Sequence, residues 1–139
     1  GSRDPLQPLS VLRGNAASGE TRPLAFTRVR SLTELETRIA AAGRPVLLDF
    51  YADWWVSCKE MERFTFADAR VQARLAGWTL LQVDVTANSE ADQALLQRFK
   101  LYGPPGLIFF DRHGREIEGV RVVGFQNAEE FLSLLSRLG

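Results

Sequence analysis

The amino-acid sequence predicts an α/β domain in which helices cover both faces of a central mixed β-sheet. Three observations predict this fold class. Strand-like and helix-like segments alternate in the order β α β α β α β β α, which is typical of a sheet built by helical crossovers. Residues 45–51 (PVLLDFY) form an almost continuous apolar run, as expected of a strand buried on both faces. The last two strand-like segments are joined by a short turn, which adds antiparallel strands.

Length and composition set the scale of the domain. The 139 residues, 45% of them hydrophobic, suffice for one domain with one core. We divide the chain into an extension over residues 1–24, rich in proline, glycine and serine, and a domain over residues 25–139. The opening Gly1-Ser2 looks like the remnant of a cleaved tag, so we expect the sequence to be part of a longer protein.

The balance of charge restricts the classes of partner. The 17 lysines and arginines equal the 17 aspartates and glutamates in number. This balance argues against nucleic acid and anionic membrane surfaces, because both bind basic faces. No segment approaches the ~18 continuous apolar residues of a membrane span, so we expect the domain itself to be soluble. We also expect it to be monomeric. The pattern of histidine, cysteine and acidic residues suggests no metal site, and we expect no cofactor.

The first elements follow from local signals. Residues 25–30 read as a short strand. Ser31 and Glu34 have the spacing of a capping box, which predicts that a helix begins there, and Gly43 predicts its end. The apolar run at residues 45–51 then predicts the central strand.

The middle of the chain continues the alternation. Residues 57–66 and 68–76 have helical periodicity, residues 79–85 read as a strand, and residues 89–99 as a helix. The residues of this last helix that we expect to face inward are Leu95, Leu96 and Phe99.

The C-terminal part predicts a hairpin followed by a helix. Residues 106–110 and 120–125 read as paired strands, with a turn at residues 112–114. Asn127 is a typical N-cap for the last helix. The apolar face of that helix is expected to contain Phe131, Leu132, Leu135 and Leu138.

The single cysteine, Cys58, lies where the central strand runs into a helix. One thiol cannot form an internal disulfide. The N-terminus of a helix offers unpaired N–H groups and a partial positive charge, both of which stabilise a thiolate. By itself a lone cysteine is more often a small buried hydrophobe than a reactive group, so both interpretations stay open from composition alone.

Four stretches resemble one family. Residues 51–66 (YADWWVSCKEMERFTF) resemble the pattern YADWCxxCKxxExxTF of the C-terminal periplasmic domain of DsbD-type thiol:disulfide interchange proteins. Residues 81–99 (LQVDVTANSEADQALLQRF), 101–114 (LYGPPGLIFFDRHG) and 122–135 (VVGFQNAEEFLSLL) resemble later parts of the same domain. The similarity covers roughly residues 30–138.

This resemblance implies a thioredoxin fold and thiol–disulfide exchange. In such proteins a membrane-embedded domain passes electrons to the dithiol of the C-terminal domain, which passes them to an N-terminal periplasmic domain. The implied activity is protein-disulfide reduction. The implied partners are those other domains of the same protein, and the implied location is the periplasmic face of the bacterial inner membrane.

The resemblance also implies roles for individual residues. Cys58 matches the resolving thiol, and Trp55 stands where the attacking cysteine belongs. Asp49 and Glu62 match two carboxylates that set the thiol pKa. From the residues alone, Asp49 could be a paired structural acid, and Glu62 a solvated surface residue.

A substrate groove is implied beside these residues. Pro105 matches a cis-proline facing the dithiol, and Trp54 and Pro104 belong to the same groove. The alternatives are a rigid loop for the two prolines and a core aromatic for Trp54. The cis geometry of the Pro104–Pro105 bond rests wholly on the resemblance, since few X-Pro bonds in folded proteins are cis.

Trp55 changes the expected chemistry, because an indole cannot replace a thiolate as nucleophile. We therefore expect this chain to lack redox turnover. Three explanations stay open: an active reductase altered at position 55, a natural redox-dead binding module, or a monothiol site that uses Cys58 alone. We expect the large indole to lie outward over the groove against Pro105 or Trp54, to create an exposed apolar patch and to hinder Cys58.

Overall fold

A five-stranded β-sheet forms the centre of the computed structural model, which describes residues 24–101 and 106–138. The strands are β1 (Thr27–Arg28), β2 (Val46–Tyr51), β3 (Thr79–Asp84), β4 (Gly106–Phe110) and β5 (Val122–Val123). The helices are α1 (Leu32–Ala41), α2 (Val56–Glu60), α3 (Ala69–Arg74), α4 (Glu90–Arg98) and α5 (Ala128–Arg137), with a π-helical segment at Met61–Thr65 directly after α2.

The sheet has the order β1-β3-β2-β4-β5 and is mixed. β1 and β2 run parallel to β3, whereas β4 runs antiparallel to β2 and to β5. β2 is therefore the central strand, and all six of its residues are buried. In its register Asp49 lies opposite Gln82 of β3 and Leu107 of β4. The predicted mixed sheet, with the run at residues 45–51 at its centre, is confirmed.

Helices cover both faces of the sheet, as the sequence predicts. One buried cluster joins Leu35 of α1 and Leu95 of α4 to Leu48 of β2. A second cluster joins Val71 of α3 and Phe131 of α5 to the other face of the sheet. The second to fourth residues of β2 alternate between the two faces, which places Asp49 on the side covered by the π-helical segment, α3 and α5.

Local signals set most helix ends. The Ser31 hydroxyl accepts a hydrogen bond from the backbone N–H of Glu34, but the Glu34 carboxylate accepts from Arg30 N–H, so only half of the predicted capping box forms. Gly43 follows α1 with φ +66°, the left-handed conformation that ends many helices. At α5, Asn127 forms a complete capping box with Glu130.

Several elements differ in length from those predicted. The first strand covers two residues instead of six, and β5 only Val122–Val123 of the predicted residues 120–125. The predicted helix at 57–66 is α2 followed by the π-helical turn. Leu134, absent from the predicted face of α5, is buried there as well. Short edge strands depend on tertiary pairing, which local periodicity does not report.

The predicted division at residue 25 stays a prediction. Residues 1–23 lie outside the described part, and Leu24 packs against the second buried cluster. Among the helices of residues 24–101 and 106–138, we find none with the length and apolar character needed to cross a membrane.

Candidate active site at the end of the central strand

Cys58 lies in the first turn of α2, as predicted from the sequence. Residues 52–55 connect the end of β2 to this helix, and the Trp55 carbonyl accepts a hydrogen bond from Cys58 N–H at 3.1 Å. The Cys58 side chain is buried, at 3% exposure, and its Sγ lies 3.9 Å from the carbonyl oxygen of Phe50, the fifth residue of β2. The thiol thus sits directly at the end of the central strand.

The environment of Cys58 favours the neutral thiol. The pKa of Cys58 is raised from 9.0 to about 12, chiefly by burial and also by the negative charges of Asp49 and Glu62, against the lowering effects of the Ala52 backbone and of Lys59. The expected stabilisation by the helix N-terminus is outweighed, because the sulfur is withdrawn from water.

Trp55 is the N-cap residue of α2, with φ −94° and ψ 113°. Its side chain is only 8% exposed and belongs to the buried cluster that includes Phe50 and Phe99. The prediction of an outward indole that creates an exposed patch is therefore wrong. Burying an indole removes a large apolar surface from water, which favours this inward position.

Trp54, the neighbour of Trp55, is 56% exposed, so it is not a core aromatic. The two rings meet edge to face with centroids 4.7 Å apart, which agrees with the expected contact between the indoles. Trp54 Nε1–H donates to the Thr86 carbonyl at 3.0 Å, and Asp53 N–H donates to Thr86 Oγ1 at 2.9 Å. With Val56, Trp54 supplies the exposed apolar surface beside Cys58.

Thr86 was not identified from the sequence, although it holds the loop that carries position 55. It follows β3, whose carboxyl end lies beside that of β2 because the two strands are parallel. Asp84 accepts hydrogen bonds from both the backbone N–H and the hydroxyl of Thr86. A small polar residue just beyond the neighbouring parallel strand was the available signal.

Asp49 is buried in β2 at 4% exposure, and its Oδ2 accepts a hydrogen bond from Gln82 Nε2 at 2.9 Å. Burial raises the pKa of Asp49 to about 7. The Gln82 bond and the positive charge of Arg28 lower it, whereas Glu62 raises it. Asp49 is thus hydrogen-bonded to a neutral amide, and near neutral pH it can exchange a proton.

Glu62, in the π-helical segment, is exposed, as the solvated interpretation expects. Its negative charge nevertheless raises the pKa of both Asp49 and Cys58. Glu62 lines a cleft of about 770 Å³. The other charged or amide side chains of that cleft are Arg28, Lys59, Arg63 and Gln82.

Tyr51 and Lys59 form a polar cluster next to this cleft, which Lys59 also lines. The Tyr51 hydroxyl accepts from Lys59 Nζ and donates to Asp53 Oδ1, each at 2.7 Å. Lys59 Nζ also lies 3.6 Å from Asp53 Oδ1. These contacts tie the last residue of β2 to the loop and to α2.

Pro104 and Pro105 lie outside the described residues, so the cis bond and the groove stay predictions. Gly106, the next residue, pairs with Phe50 of β2. A Cβ atom at Gly106 would lie 2.7 Å from Leu101 Cδ1, so a larger residue there would require the Leu101 side chain to move. Across residues 24–101 and 106–138, no three His, Cys, Asp or Glu side chains gather in a way that could hold a metal ion.

Comparisons with known proteins agree with this fold. The sequence family described as a thioredoxin-like domain matches residues 33–139. The crystal structure of the oxidised DsbD C-terminal domain of Neisseria meningitidis aligns with a TM-score of 0.67 and 33% identity, and the alignment covers 81% of this chain and 98% of that one. This chain belongs to the DsbD C-terminal domain family.

Curated relatives place this DsbD-family domain within longer sequences. It is 58% identical over 142 residues to the thiol:disulfide interchange protein DsbD of Ralstonia nicotianae, which covers 99% of the chain and 23% of that protein. It is 45% identical to the DsbD of Pectobacterium atrosepticum, with coverages of 98% and 24%. The chain therefore spans about a quarter of the length of these relatives.

Proposed function

We propose that this domain is built for thiol:disulfide exchange within a longer DsbD-type protein, and that Trp55 leaves the present chain without turnover. The observation that carries the proposal is the position of Cys58. It lies in the first turn of the helix that follows the central strand, three residues after Trp55 at the helix N-cap. Two positions so spaced at a helix start bring two thiols within reach of each other.

The proposed exchange moves two electrons. A thiolate at position 55 would attack one sulfur of the partner disulfide, and the other sulfur would leave as a thiolate that takes up a proton. The Cys58 thiol would then lose its proton, attack the sulfur at position 55 and release the second partner thiol. The domain ends as an internal disulfide, and the partner is reduced to a dithiol.

The present chain lacks the first of these thiols. The monothiol alternative would require Cys58 to be accessible and ionised. Cys58 is instead buried, and burial raises its pKa to about 12. Since the thiolate is the attacking species, this environment suits a resolving thiol better than a first nucleophile.

We further propose the partners and location that the family resemblance implies. Electrons would arrive from a membrane-embedded domain and leave to an N-terminal periplasmic domain of the same protein, at the periplasmic face of the inner membrane. The exposed Trp54 and Val56 side chains beside Cys58 supply an apolar surface on which such a partner could dock.

The test compares three chains: the unaltered chain, Trp55→Cys and Trp55→Ser. With a small dithiol as electron source and a disulfide-bonded protein as substrate, Trp55→Cys is expected to show multiple turnover, and the other two chains none. Trp55→Ser is the matched control, because it also removes the indole but adds no thiol. Turnover by the unaltered chain would contradict the proposal.

The binding-module alternative predicts a different result. A Trp55→Cys chain that folds but shows no turnover would favour a domain that has lost exchange chemistry altogether. The coding sequence of the parent gene at position 55 separates the remaining cases. A cysteine codon identifies an altered reductase, and a tryptophan codon identifies a natural substitution.

A further inference from the structure

A chain of polar contacts connects buried Asp49 to the edge of the sheet. Gln82 of β3 donates from Nε2 to Asp49 Oδ2 at 2.9 Å. Its Oε1 accepts a hydrogen bond from Arg28 Nε of β1. Arg28 also donates from Nη1 to Asp84 Oδ2 at 2.8 Å, and this last pair is partly exposed. This series of polar contacts thus crosses three adjacent strands of the sheet.

The chemistry of these groups fixes the direction of every bond. A guanidinium has only donors, so the atom of Gln82 that faces Arg28 must be the carbonyl oxygen. The amide NH₂ group is then left to face Asp49, to which it can only donate. A donor aimed at a carboxyl group favours the ionised form. Without Arg28 the amide could turn over and present its oxygen, which would favour the protonated form instead.

We propose that Gln82, oriented by Arg28, is a positioning residue that keeps Asp49 able to accept a proton. This inference rests on the proposed function for its role in exchange. There, the proton that leaves Cys58 Sγ would end on the Asp49 carboxylate, so the thiol becomes a thiolate and the carboxylate a neutral acid.

Other charges also act on Asp49 and must be separated from this effect. Glu62 of the π-helical segment raises the pKa of Asp49, and Arg28 of β1 lowers it through space. The Cys58 thiol of α2 is coupled to Asp49 by charge. On β4 the facing residue is the apolar Leu107. A simple substitution of Arg28 would therefore mix direct electrostatics with the orientation of Gln82.

A double-mutant cycle separates the two effects. The Asp49 carboxyl group is titrated by ¹³C NMR in the unaltered chain, Arg28→Met, Gln82→Met and the double variant. Gln82→Met is expected to raise the titration midpoint by about one pH unit, the size of a hydrogen bond to a charged group. Arg28→Met is expected to raise the Asp49 midpoint by less than Gln82→Met does. When Gln82 is already methionine, the shift caused by Arg28→Met should be at most half of its shift in the unaltered chain.

Two controls sharpen the test. In Arg38→Met, another partly exposed arginine is removed from an ion pair, in this case with the Glu34 carboxylate on α1. This variant should leave the Asp49 midpoint unchanged. If Gln82→Met does not fold, the side-chain amide resonances of Gln82 serve instead. They should follow the Asp49 titration in the unaltered chain and follow it more weakly in Arg28→Met.

The inference is overturned if Gln82→Met leaves the Asp49 midpoint unchanged, or if Arg28→Met shifts that midpoint equally in the unaltered chain and in Gln82→Met. It is also overturned if the Gln82 amide resonances do not change as Asp49 titrates. In the Trp55→Cys chain, Gln82→Met should move the pH midpoint of exchange by the same amount as the carboxyl midpoint; an unmoved exchange midpoint overturns the link to exchange. Because the titration needs no exchange, an inactive Trp55→Cys chain would count against the proposed function alone.

Discussion

At the scale of single residues, Trp54 and Trp55 are adjacent but occupy opposite environments, with side chains 56% and 8% exposed. Trp55→Ser should lower the free energy of unfolding by about 3 kcal/mol, because it empties a buried aromatic site. Trp54→Ser should cost less than about 1.5 kcal/mol, since it removes exposed surface and one hydrogen bond to the Thr86 carbonyl. Urea denaturation of both variants gives the comparison. Equal losses, or a gain in stability for Trp55→Ser, would show that the indole at position 55 is strained instead of well packed.

Cys58 provides a second prediction at this scale. In the folded chain the thiol should react at least ~100-fold more slowly with a bulky aromatic disulfide reagent at pH 8 than in denaturant. Two causes act together: the sulfur is buried, and its pKa is raised from 9.0 to about 12, so the thiolate fraction is small. Thiol labelling followed in both solvents measures the ratio. Native labelling at the denatured rate would show that the sulfur is open to solvent.

At the scale of elements, the turn after α2 departs from the helix that periodicity predicts. The π-helical segment Met61–Thr65 closes with Phe66 N–H bonded to the Met61 carbonyl at 2.7 Å. Such segments insert an extra residue into a helical turn and often occur near functional sites. Here the segment carries Glu62 and begins three residues after Cys58, so it sets which side chains of this region face the cleft.

Thr65 anchors this segment, and its substitution is a test of the anchor. Its buried hydroxyl donates to the Gln126 carbonyl just before α5. Thr65→Val keeps the shape but leaves that carbonyl without this donor, which should cost about 1–2 kcal/mol of unfolding free energy. Thr37→Val, an exposed site on α1, is the matched control and should change stability by less than about 0.5 kcal/mol. Similar effects of the two substitutions in denaturant unfolding would contradict the anchoring role.

The elements that could be predicted are those with local causes. The buried run of β2 and the N-caps Ser31 and Asn127 are visible in a few consecutive residues, and the structure agrees with them. The π-helical turn could not be predicted, because one extra residue in a turn hardly changes an apolar periodicity. The burial of Trp55 depends on the space left by residues distant in sequence. The contact of Gln82 with Asp49 depends on the register of two strands that are also distant in sequence.

At the scale of the whole molecule, Asp49 makes folding stability depend on pH. Burial raises its pKa from 3.8 in the reference state to about 7 in the folded chain, so the folded state binds the proton more tightly. The contribution of Asp49 to the free energy of unfolding is therefore fully present below about pH 4, and it is lost as pH rises through about 7. Asp68, Asp84 and Asp111 have lowered pKa values, so the stability they contribute is lost only in more acidic solution.

Asp49→Asn should remove this dependence. The unaltered chain is expected to lose up to about 4 kcal/mol of unfolding free energy between pH 4.5 and 7.5, the equivalent of a three-unit rise in pKa. The asparagine variant should lose much less over the same interval, because its amide stays neutral and can still accept from Gln82. Urea denaturation at three pH values across this window measures both slopes.

Asp53→Asn, at an exposed position in the adjacent loop, should keep the slope of the unaltered chain. An Asp49→Asn slope equal to that of the unaltered chain would mean that Asp49 is already ionised in the folded protein at pH 4.5, and that the Gln82 hydrogen bond outweighs the effect of burial.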